Sequence, residues 1–230
     1  MTDLNGLLLI DKPKTWTSFD VVAKVRGTIK RETGEKIKVG HTGTLDPNAT
    51  GLLVLAVGKA TKQIDGLMKQ EKIYEAEIVL GKSSSTDDSE GELTEVSSTK
   101  PALDQIEAAL ENFVGEIEQV PPAYSAIKVD GKRAYKSARE GKTVEIKPRK
   151  VRVISINDVK YDYPILSFIT HVGSGTYIRS IARDLGEMLG TGAYLNNLRR
   201  FSIGEYSVQD SLSIDGLNME SIQSRIKPIA

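Results

Sequence analysis

Residues 40–51 constrain this chain most, because three glycines, one proline and several small polar residues are packed into one short stretch. Such a composition disfavours regular helix or central strand and predicts a tightly turning loop that can approach a ligand closely. The apolar run at 52–57 that follows predicts a buried strand. Loops supported by core strands often carry function. Within this loop Asp46 is the only carboxylate and His41 the only imidazole, although an ordinary Asp-Pro turn has the same local pattern.

The amino-acid composition indicates the class of protein. A chain of 230 residues with 39% apolar and 27% charged residues is an ordinary globular protein with ample material for a core. It has no cysteine, which excludes disulfides and thiolate metal sites and fits a reducing compartment. No apolar run approaches the roughly 18 residues of a membrane span, so we expect a cytoplasmic protein without a membrane partner.

Charge is distributed unevenly although the formal net charge is zero. Residues 128–152 carry ten Lys/Arg against three Asp/Glu, and residues 87–118 carry ten Asp/Glu against one Lys. Tyr124 and Tyr135 lie among the basic side chains, a pattern suited to looped RNA, because cations meet phosphates and rings stack on bases. The alternative is a pair of solvated faces without any partner.

Hydrophobic periodicity predicts strands and helices in alternating runs, and therefore the α+β class. A helix over 19–33 is expected to begin at Ser18 as its cap, with an apolar face of Phe19, Val22, Val25 and Ile29. A second important helix starts near Thr176. The predicted strands are 6–10, 52–57, 72–80, 124–129, 149–160, 165–172 and 193–198, the other helices are 61–68 and 102–113, and 81–92 is predicted to be a mobile surface loop.

Arg179 falls in the first turn of the helix that starts near Thr176. A cation there is unfavourable because of the helix dipole. The position becomes reasonable if an anion lies opposite, either a phosphate or Asp46.

Several separate blocks of the chain match one family. They are Asp11-Lys12-Pro13, the run Gly-His-Thr-Gly-Thr-Leu-Asp-Pro at 40–47, Lys-Ile-Tyr at 72–74, Tyr-Ser-Ala-Ile-Lys at 124–128, Gly-Thr-Tyr-Ile-Arg at 175–179 and Leu-Arg-Arg at 198–200. In this order they resemble the signature of the TruB-type bacterial tRNA pseudouridine synthases. The chain departs from the family at Thr15, where glycine is usual.

The resemblance implies an architecture. We expect the pseudouridine-synthase catalytic fold over residues 1–210, with a mixed or antiparallel central sheet flanked by helices. An RNA-clamping insertion is expected at about 124–150, mobile without RNA. Residues 211–230 are expected to form a short tail, with no full C-terminal RNA-binding (PUA) domain.

The resemblance also implies a reaction, the isomerisation of the T-loop uridine at tRNA position 55 to pseudouridine. This chemistry needs no cofactor and no metal. Asp46 would act either as a nucleophile or as a base on the sugar, and both routes stay open. Arg179 would pair with it, and Tyr74 would stack on the base next to the reacting carbons.

The remaining site residues have binding roles by resemblance. His41 would hold the flipped nucleotide or fill the space it vacates, while Tyr177 and Leu198 would shape the pocket. Lys12 is expected either to contact phosphate or to position the loop. Further contacts to RNA phosphates are expected from Lys128, Lys132 and Arg133.

Three other interpretations of the function remain open. The chain could be a non-catalytic tRNA-folding chaperone, a dyskerin-like synthase that depends on guide RNA, or a small-molecule enzyme. The joint presence of Asp46, Tyr74 and Arg179 favours catalysis, and the bacterial-style motifs favour a monomer that acts on the tRNA T-arm without an obligate protein partner. Phosphate-loop, metal and serine-hydrolase signatures do not match.

Overall fold

A computed structural model describes residues 4–125, 127–129, 132–134 and 145–228. The chain divides into two compact units, Met1–Tyr74 with Leu198–Ala230, and Glu75–Asn197. Both contain mostly antiparallel strands with helices packed on them, which confirms the predicted α+β class. Among the described helices, none has the length and apolar character needed to cross a membrane.

The first unit is built on two adjacent strands that are apolar on both faces. The strands are β1, Gly6–Lys12, and β3, Thr50–Val57, which pair in antiparallel register from Gly6 opposite Val57 to Lys12 opposite Gly51. Leu8, Ile10, Leu53 and Leu55 face a helix-covered core, and the alternate residues face a second cluster. The elements are β1 Gly6–Lys12, α1 Ser18–Thr33, β2 Val39–His41, β3 Thr50–Val57, a 3-10 helix Gly58–Gln63, α2 Ile64–Met68 and the start of β4 Lys72–Leu80.

The C-terminal segment returns to this first unit. It contributes Leu198–Ile203 of β12 Ala193–Ile203, then β13 Tyr206–Ser207, a 3-10 turn Val208–Asp210, β14 Leu212–Ser213 and a last helix, Met219–Arg225. β14 pairs with β1 in parallel, and the backbone of Lys227 exchanges two hydrogen bonds with Leu7. Ile214, Leu217 and Ile222 are buried in the same core as α1, so this stretch is packed and ordered by apolar contacts.

The described part of the second unit contains a long sheet, mostly antiparallel, and two long helices. Four of its strands lie in the order β4 Lys72–Leu80, β11 Ile165–Val172, β10 Arg149–Asp162 and β7 Gly115–Gln119. The elements are the continuation of β4, β5 Lys82–Ser84, β6 Leu93–Glu95, α3 Leu103–Glu111, β7 Gly115–Gln119, β8 Lys128–Val129, β9 Lys132–Arg133, β10 Arg149–Asp162, β11 Ile165–Val172, α4 Ile178–Met188 and the first residues of β12.

The first helix differs from the prediction at its start. Thr17, and not Ser18, is the cap: its hydroxyl accepts from the Asp20 N–H at 3.0 Å, and Asp20 accepts in return from the Thr17 N–H at 2.9 Å. Phe19 was predicted to be apolar core but is 62% exposed, because no described element covers the first turn of α1 on that side. Val22, Val25 and Ile29 are buried as expected.

Other element boundaries also differ from the prediction. Residues 82–84 of the predicted loop form β5, which pairs with β6. Of the described residues in the predicted strand at 124–129, those in a strand are Lys128–Val129. The last long strand reaches Ile203 instead of 198. β7 was missed, since its alternating glutamates conceal a strand that pairs with β10.

Candidate active site

The loop that carries Asp46 is held by a buried lysine. Lys12 is completely buried, and its Nζ donates to the carbonyl oxygens of Pro47 at 3.0 Å, Pro13 at 3.0 Å and Trp16 at 2.6 Å. A buried ammonium requires such partners, because removing it from water is costly. The three bonds join the end of β1, the turn before α1 and the residue that follows Asp46. The geometry therefore supports the loop-positioning alternative for Lys12 over a contact with phosphate.

Ser18 provides a second attachment, on the other side of Asp46. Its Oγ accepts from the Leu45 N–H at 2.8 Å and donates to the Leu45 carbonyl at 3.0 Å, and both residues are buried. Thr15 adds a third, since its N–H donates to the Pro47 carbonyl at 2.9 Å. The backbone of Thr15 is left-handed, with φ of 72°. A β-branched residue is strained there, which explains why glycine suits this turn.

Arg200 also holds the loop, through hydrogen bonds from its side chain to backbone carbonyls. Its side chain is 1% exposed, and it donates from Nε to the Leu52 carbonyl at 2.7 Å and from Nη2 to the Gly43 carbonyl at 3.1 Å. The backbone of β3 lies very close to the backbone of Arg200. A Cβ on Gly51, whose φ is +97°, would lie 2.3 Å from the Arg200 carbonyl oxygen. Only glycine permits this approach.

The loop predicted at 40–51 is shorter in the structure, because β2 extends to His41 and β3 begins at Thr50. His41 is therefore the last residue of β2, directly before the loop, and it is half-buried. Burial, reinforced by the positive charge of Arg200, lowers the pKa of the His41 imidazole. Its Nδ1 accepts a long hydrogen bond from the Gly43 N–H at 3.4 Å. The side chain is therefore neutral near pH 7 and helps to shape the turn.

Tyr74 and Leu198 also belong to the first unit, where Tyr74 is buried and Leu198 half-buried. Two residues before Tyr74, Lys72 is 8% exposed and donates to the Met68 carbonyl at 3.0 Å and to the Gln70 carbonyl. Burial, with a smaller contribution from Arg200, lowers the pKa of Lys72 to about 8. A cation with so low a pKa is close to losing its proton in mildly alkaline solution.

In the second unit, Arg179 is buried and held by several acceptors. Nη1 forms an ion pair with Asp88 Oδ2 at 3.1 Å and contacts the Thr86 carbonyl at 3.3 Å, and Nη2 donates to the Tyr124 carbonyl at 3.0 Å. The side chains of Arg179 and Asp88 are 6% and 15% exposed. Asp88 is thus one anion that explains a cation in the first turn of a helix.

A parallel pair lies one helical turn further on. Arg183 Nη1 contacts Asp87 Oδ2 at 3.0 Å, and Arg183 Nη2 contacts Asp184 Oδ1 at 2.8 Å. Burial raises the pKa of the Asp87 carboxyl, and the charges of Arg183 and Arg179 oppose that rise. The loop that contains Asp87 and Asp88, predicted to be a mobile surface connection, is therefore attached to α4 by two ion pairs.

Tyr177 is positioned through its backbone. Gln119, which is 1% exposed, accepts from the Tyr177 N–H at 2.8 Å and donates to its carbonyl at 3.0 Å. The guanidinium of Arg149 lies 5.0 Å from the centroid of the Tyr177 ring and also donates to the Gly175 carbonyl. Gln119 and Asp88 are functional candidates that the sequence analysis missed.

The predicted site residues are thus divided between the two compact units. Asp46, His41, Tyr74, Leu198 and Lys12 belong to the first unit, and Arg179 and Tyr177 belong to the second. The ion pair between Asp46 and Arg179 stays a prediction.

For the basic segment, the structure describes the backbone of two short paired strands, β8 with β9, which contain Lys128, Lys132 and Arg133. Tyr135, Lys136 and Arg139 lie outside the described residues. Among the described residues, no group of three or more His, Asp or Glu side chains could hold a metal ion.

Comparison with known families places the chain in one class. The model described as TruB family pseudouridylate synthase (N terminal domain) matches residues 30–178, and the model described as tRNA pseudouridylate synthase B C-terminal domain matches residues 179–227. The chain therefore belongs to the TruB family of pseudouridylate synthases.

Individual relatives agree with this assignment. The chain is 44% identical to tRNA pseudouridine synthase B of Clostridium kluyveri, over 98% of this chain and 76% of the relative. It is 47% identical to the protein of the same name from Chlorobaculum tepidum, over 94% of this chain and 91% of the relative.

Among solved structures, the chain resembles one described as a Cbf5-Nop10-Gar1 complex, with a TM-score of 0.71 and 28% identity over 98% of this chain. A second, the archaeal box H/ACA sRNP Nop10-Cbf5 complex, gives a TM-score of 0.69 and 27% identity. In both, the chain spans about three fifths of the solved chain's length, covering 60% of it.

Proposed function

We propose that this protein isomerises the T-loop uridine of tRNA, at position 55, to pseudouridine, with Asp46 as the catalytic residue. The proposal is based on one structural observation. Asp46 lies in a loop that buried Lys12, buried Ser18 and buried Arg200 hold at three different backbone points. Such support keeps a reactive side chain in one geometry, which is what an enzyme needs and a passive binding surface does not.

The reaction breaks the bond between N1 of uracil and C1′ of the ribose, turns the base, and joins C5 to the same carbon. The C5 proton is released and N1 gains one, so no electron donor or acceptor is consumed. Asp46 would act on the sugar either by adding its carboxylate oxygen to C1′ or by removing a sugar proton. Either role requires the ionised carboxylate.

Arg179 would favour that ionised form. An opposite charge close to a carboxyl stabilises its charged state. In this proposal Arg179 would pair with Asp46 as well as with Asp88, to which its Nη1 is bound. Asp88 would then be a positioning residue, since it acts on the reaction only by orienting the guanidinium.

The other side chains would hold the flipped nucleotide. Tyr74 would stack on the base, and Tyr177, fixed through Gln119, would form part of the wall with Leu198. A neutral His41 can donate and accept hydrogen bonds and can occupy the space left by the extruded base, which offsets the few kcal/mol lost on unstacking.

We propose a tRNA substrate, bound through its T-arm, for a protein that acts without an obligate protein partner in the cytoplasm. The support is the identity of 44–47% to proteins named tRNA pseudouridine synthase B, against 28% to the chain from the Cbf5 complex. Lys128, Lys132 and Arg133 would contact phosphates.

The test is to incubate the protein with an unmodified tRNA transcript and map pseudouridine by carbodiimide labelling and primer extension. We expect one new stop, at the nucleotide directly 3′ of position 55, and none in a transcript that carries cytidine at position 55. Tight binding without any modification would contradict the proposal and favour a tRNA-folding chaperone. Modification at other positions only would contradict the T-loop assignment.

A further inference from the structure

The first unit contains a cleft that the proposed chemistry does not use. It lies between α1 and the segment that leads into β2, has a volume of about 750 Å³, and is open to solvent. Four basic residues line it, Arg26 and Lys30 from α1 and Lys36 and Lys38 from the opposite segment. All four are exposed, and the lining contains no carboxylate. Its other residues are small or apolar.

The charge of this cleft is available for a ligand. Within the described part of the chain, none of the four cations forms an ion pair with a carboxylate. Nearby Glu32 is exposed, and its Oε1 lies 3.4 Å from Nε of Arg31. Glu32 therefore pairs with a residue that does not line the cleft. Residues 24–38 hold six Lys/Arg against two Glu. Several cations on both walls of a groove create a positive potential that attracts a polyanion.

An exposed aromatic ring extends the same surface. Phe19 is 62% exposed, and the guanidinium of Arg26 lies 5.9 Å from its ring centroid. Phe19 and Arg26 are two helical turns apart on α1, so the ring continues the stripe of Arg26 and Lys30. A Cβ added at Gly27 would meet no atom within 4 Å, which leaves this part of the wall open.

We propose that this cleft, with Phe19 at its edge, binds the phosphodiester backbone of the tRNA substrate, while the Phe19 ring stacks on an unpaired base. Cations that follow a backbone, next to an aromatic ring, form the usual surface for unpaired RNA. The cleft is adjacent in sequence to the loop of Asp46, because Gly40 lines the cleft and His41 is the next residue. The ligand identity rests on the proposed function, and the charge arrangement does not.

The test compares two double charge reversals in full-length protein. Lys30→Glu with Lys38→Glu alters both walls of the cleft. Lys160→Glu with Arg225→Glu makes the same change in charge at exposed positions elsewhere and serves as the matched control. The dissociation constant for an unmodified tRNA transcript is measured by filter binding at several KCl concentrations, and pseudouridine formation is measured at saturating tRNA.

We expect the cleft variant to bind at least tenfold more weakly at 0.1 M KCl and to lose about 2 from the slope of log Kd against log salt, because at least two phosphate contacts are removed. Its rate at saturation should match wild type. The control variant should stay within twofold. Phe19→Ala should weaken binding about fivefold or more through lost stacking.

Unchanged affinity and slope in the cleft variant would overturn the proposal. A wild-type self-association, seen by sedimentation, that the cleft variant abolishes without any loss of tRNA affinity would also overturn it, and would point to a second copy of this chain as the occupant. If wild type binds tRNA through the cleft but forms no pseudouridine, the cleft proposal stands and the proposed function fails.

Discussion

The ion pair between Asp88 and Arg179 offers a quantitative test of the positioning role proposed for Asp88. Asp88→Asn keeps the shape and one hydrogen-bond acceptor but removes the negative charge. Both side chains are almost buried, at 15% and 6% exposed, so water cannot replace the lost carboxylate. Arg179 retains its bonds to the Thr86 and Tyr124 carbonyls.

Removing one partner of a buried ion pair costs about 3–5 kcal/mol, and the retained acceptor places the expected loss of unfolding free energy near 3 kcal/mol. Turnover should fall at least tenfold, because a guanidinium that has lost the carboxylate orienting it would stabilise the ionised Asp46 less well. Urea unfolding followed by circular dichroism gives the first quantity, and tritium release from tRNA labelled at C5 of uridine gives the second.

Asp87→Asn is the matched control. Its partner Arg183 is a quarter exposed and keeps Asp184 at 2.8 Å, so the expected loss of stability is about 1 kcal/mol, with turnover nearly unchanged. A stability loss in Asp88→Asn no larger than in Asp87→Asn, or turnover at the wild-type rate in Asp88→Asn, would contradict the role proposed for Asp88.

Three other changes test separate parts of the structure. Thr15→Gly should raise the unfolding free energy by about 1 kcal/mol in urea titrations, because glycine accepts the φ of 72° without strain; a loss of stability would contradict this. Gln119→Leu should lower it by about 2 kcal/mol and slow turnover, since two hydrogen bonds to the Tyr177 backbone are lost, whereas full activity would show that Tyr177 needs no such support. The pKa of Lys72 is about 8 when folded against 10.5 for the ordinary side chain, so the unfolded chain binds more protons between these values and stability should rise with pH. From pH 7 to 9 wild type should gain about 1 kcal/mol that Lys72→Met does not gain, and equal pH profiles would contradict the assignment.

Much of the fold was accessible from local pattern. β1 and β3 are short apolar runs bounded by Pro13 and Gly58, and such runs have few alternatives to buried strands. The loop of Asp46 was also predictable, because its glycines and proline exclude regular structure. The cap of α1 was decidable in principle: Asp20 stands three residues after Thr17, a reciprocal pattern that does not fit Ser18.

The long-range partners were not accessible in this way. Lys12 bonds to Pro47 from 35 positions away, and Asp88 lies 91 positions from Arg179, so no local window contains both members of either pair. Phe19 was misassigned because helical periodicity identifies a face but not whether another element covers it. The cleft of α1 was overlooked, since the stretch 128–152 carries the larger excess of charge and drew the interpretation of RNA binding.

The role proposed for Asp46 in the isomerisation can be tested with the Asp46→Asn variant. Tritium release from a tRNA transcript labelled at C5 of uridine is measured under single-turnover conditions for wild type and variant, together with the affinity of each for the same tRNA. We expect release from the T loop with wild type only, and affinities within a few-fold of each other. Release by Asp46→Asn at a rate comparable to wild type would contradict that role.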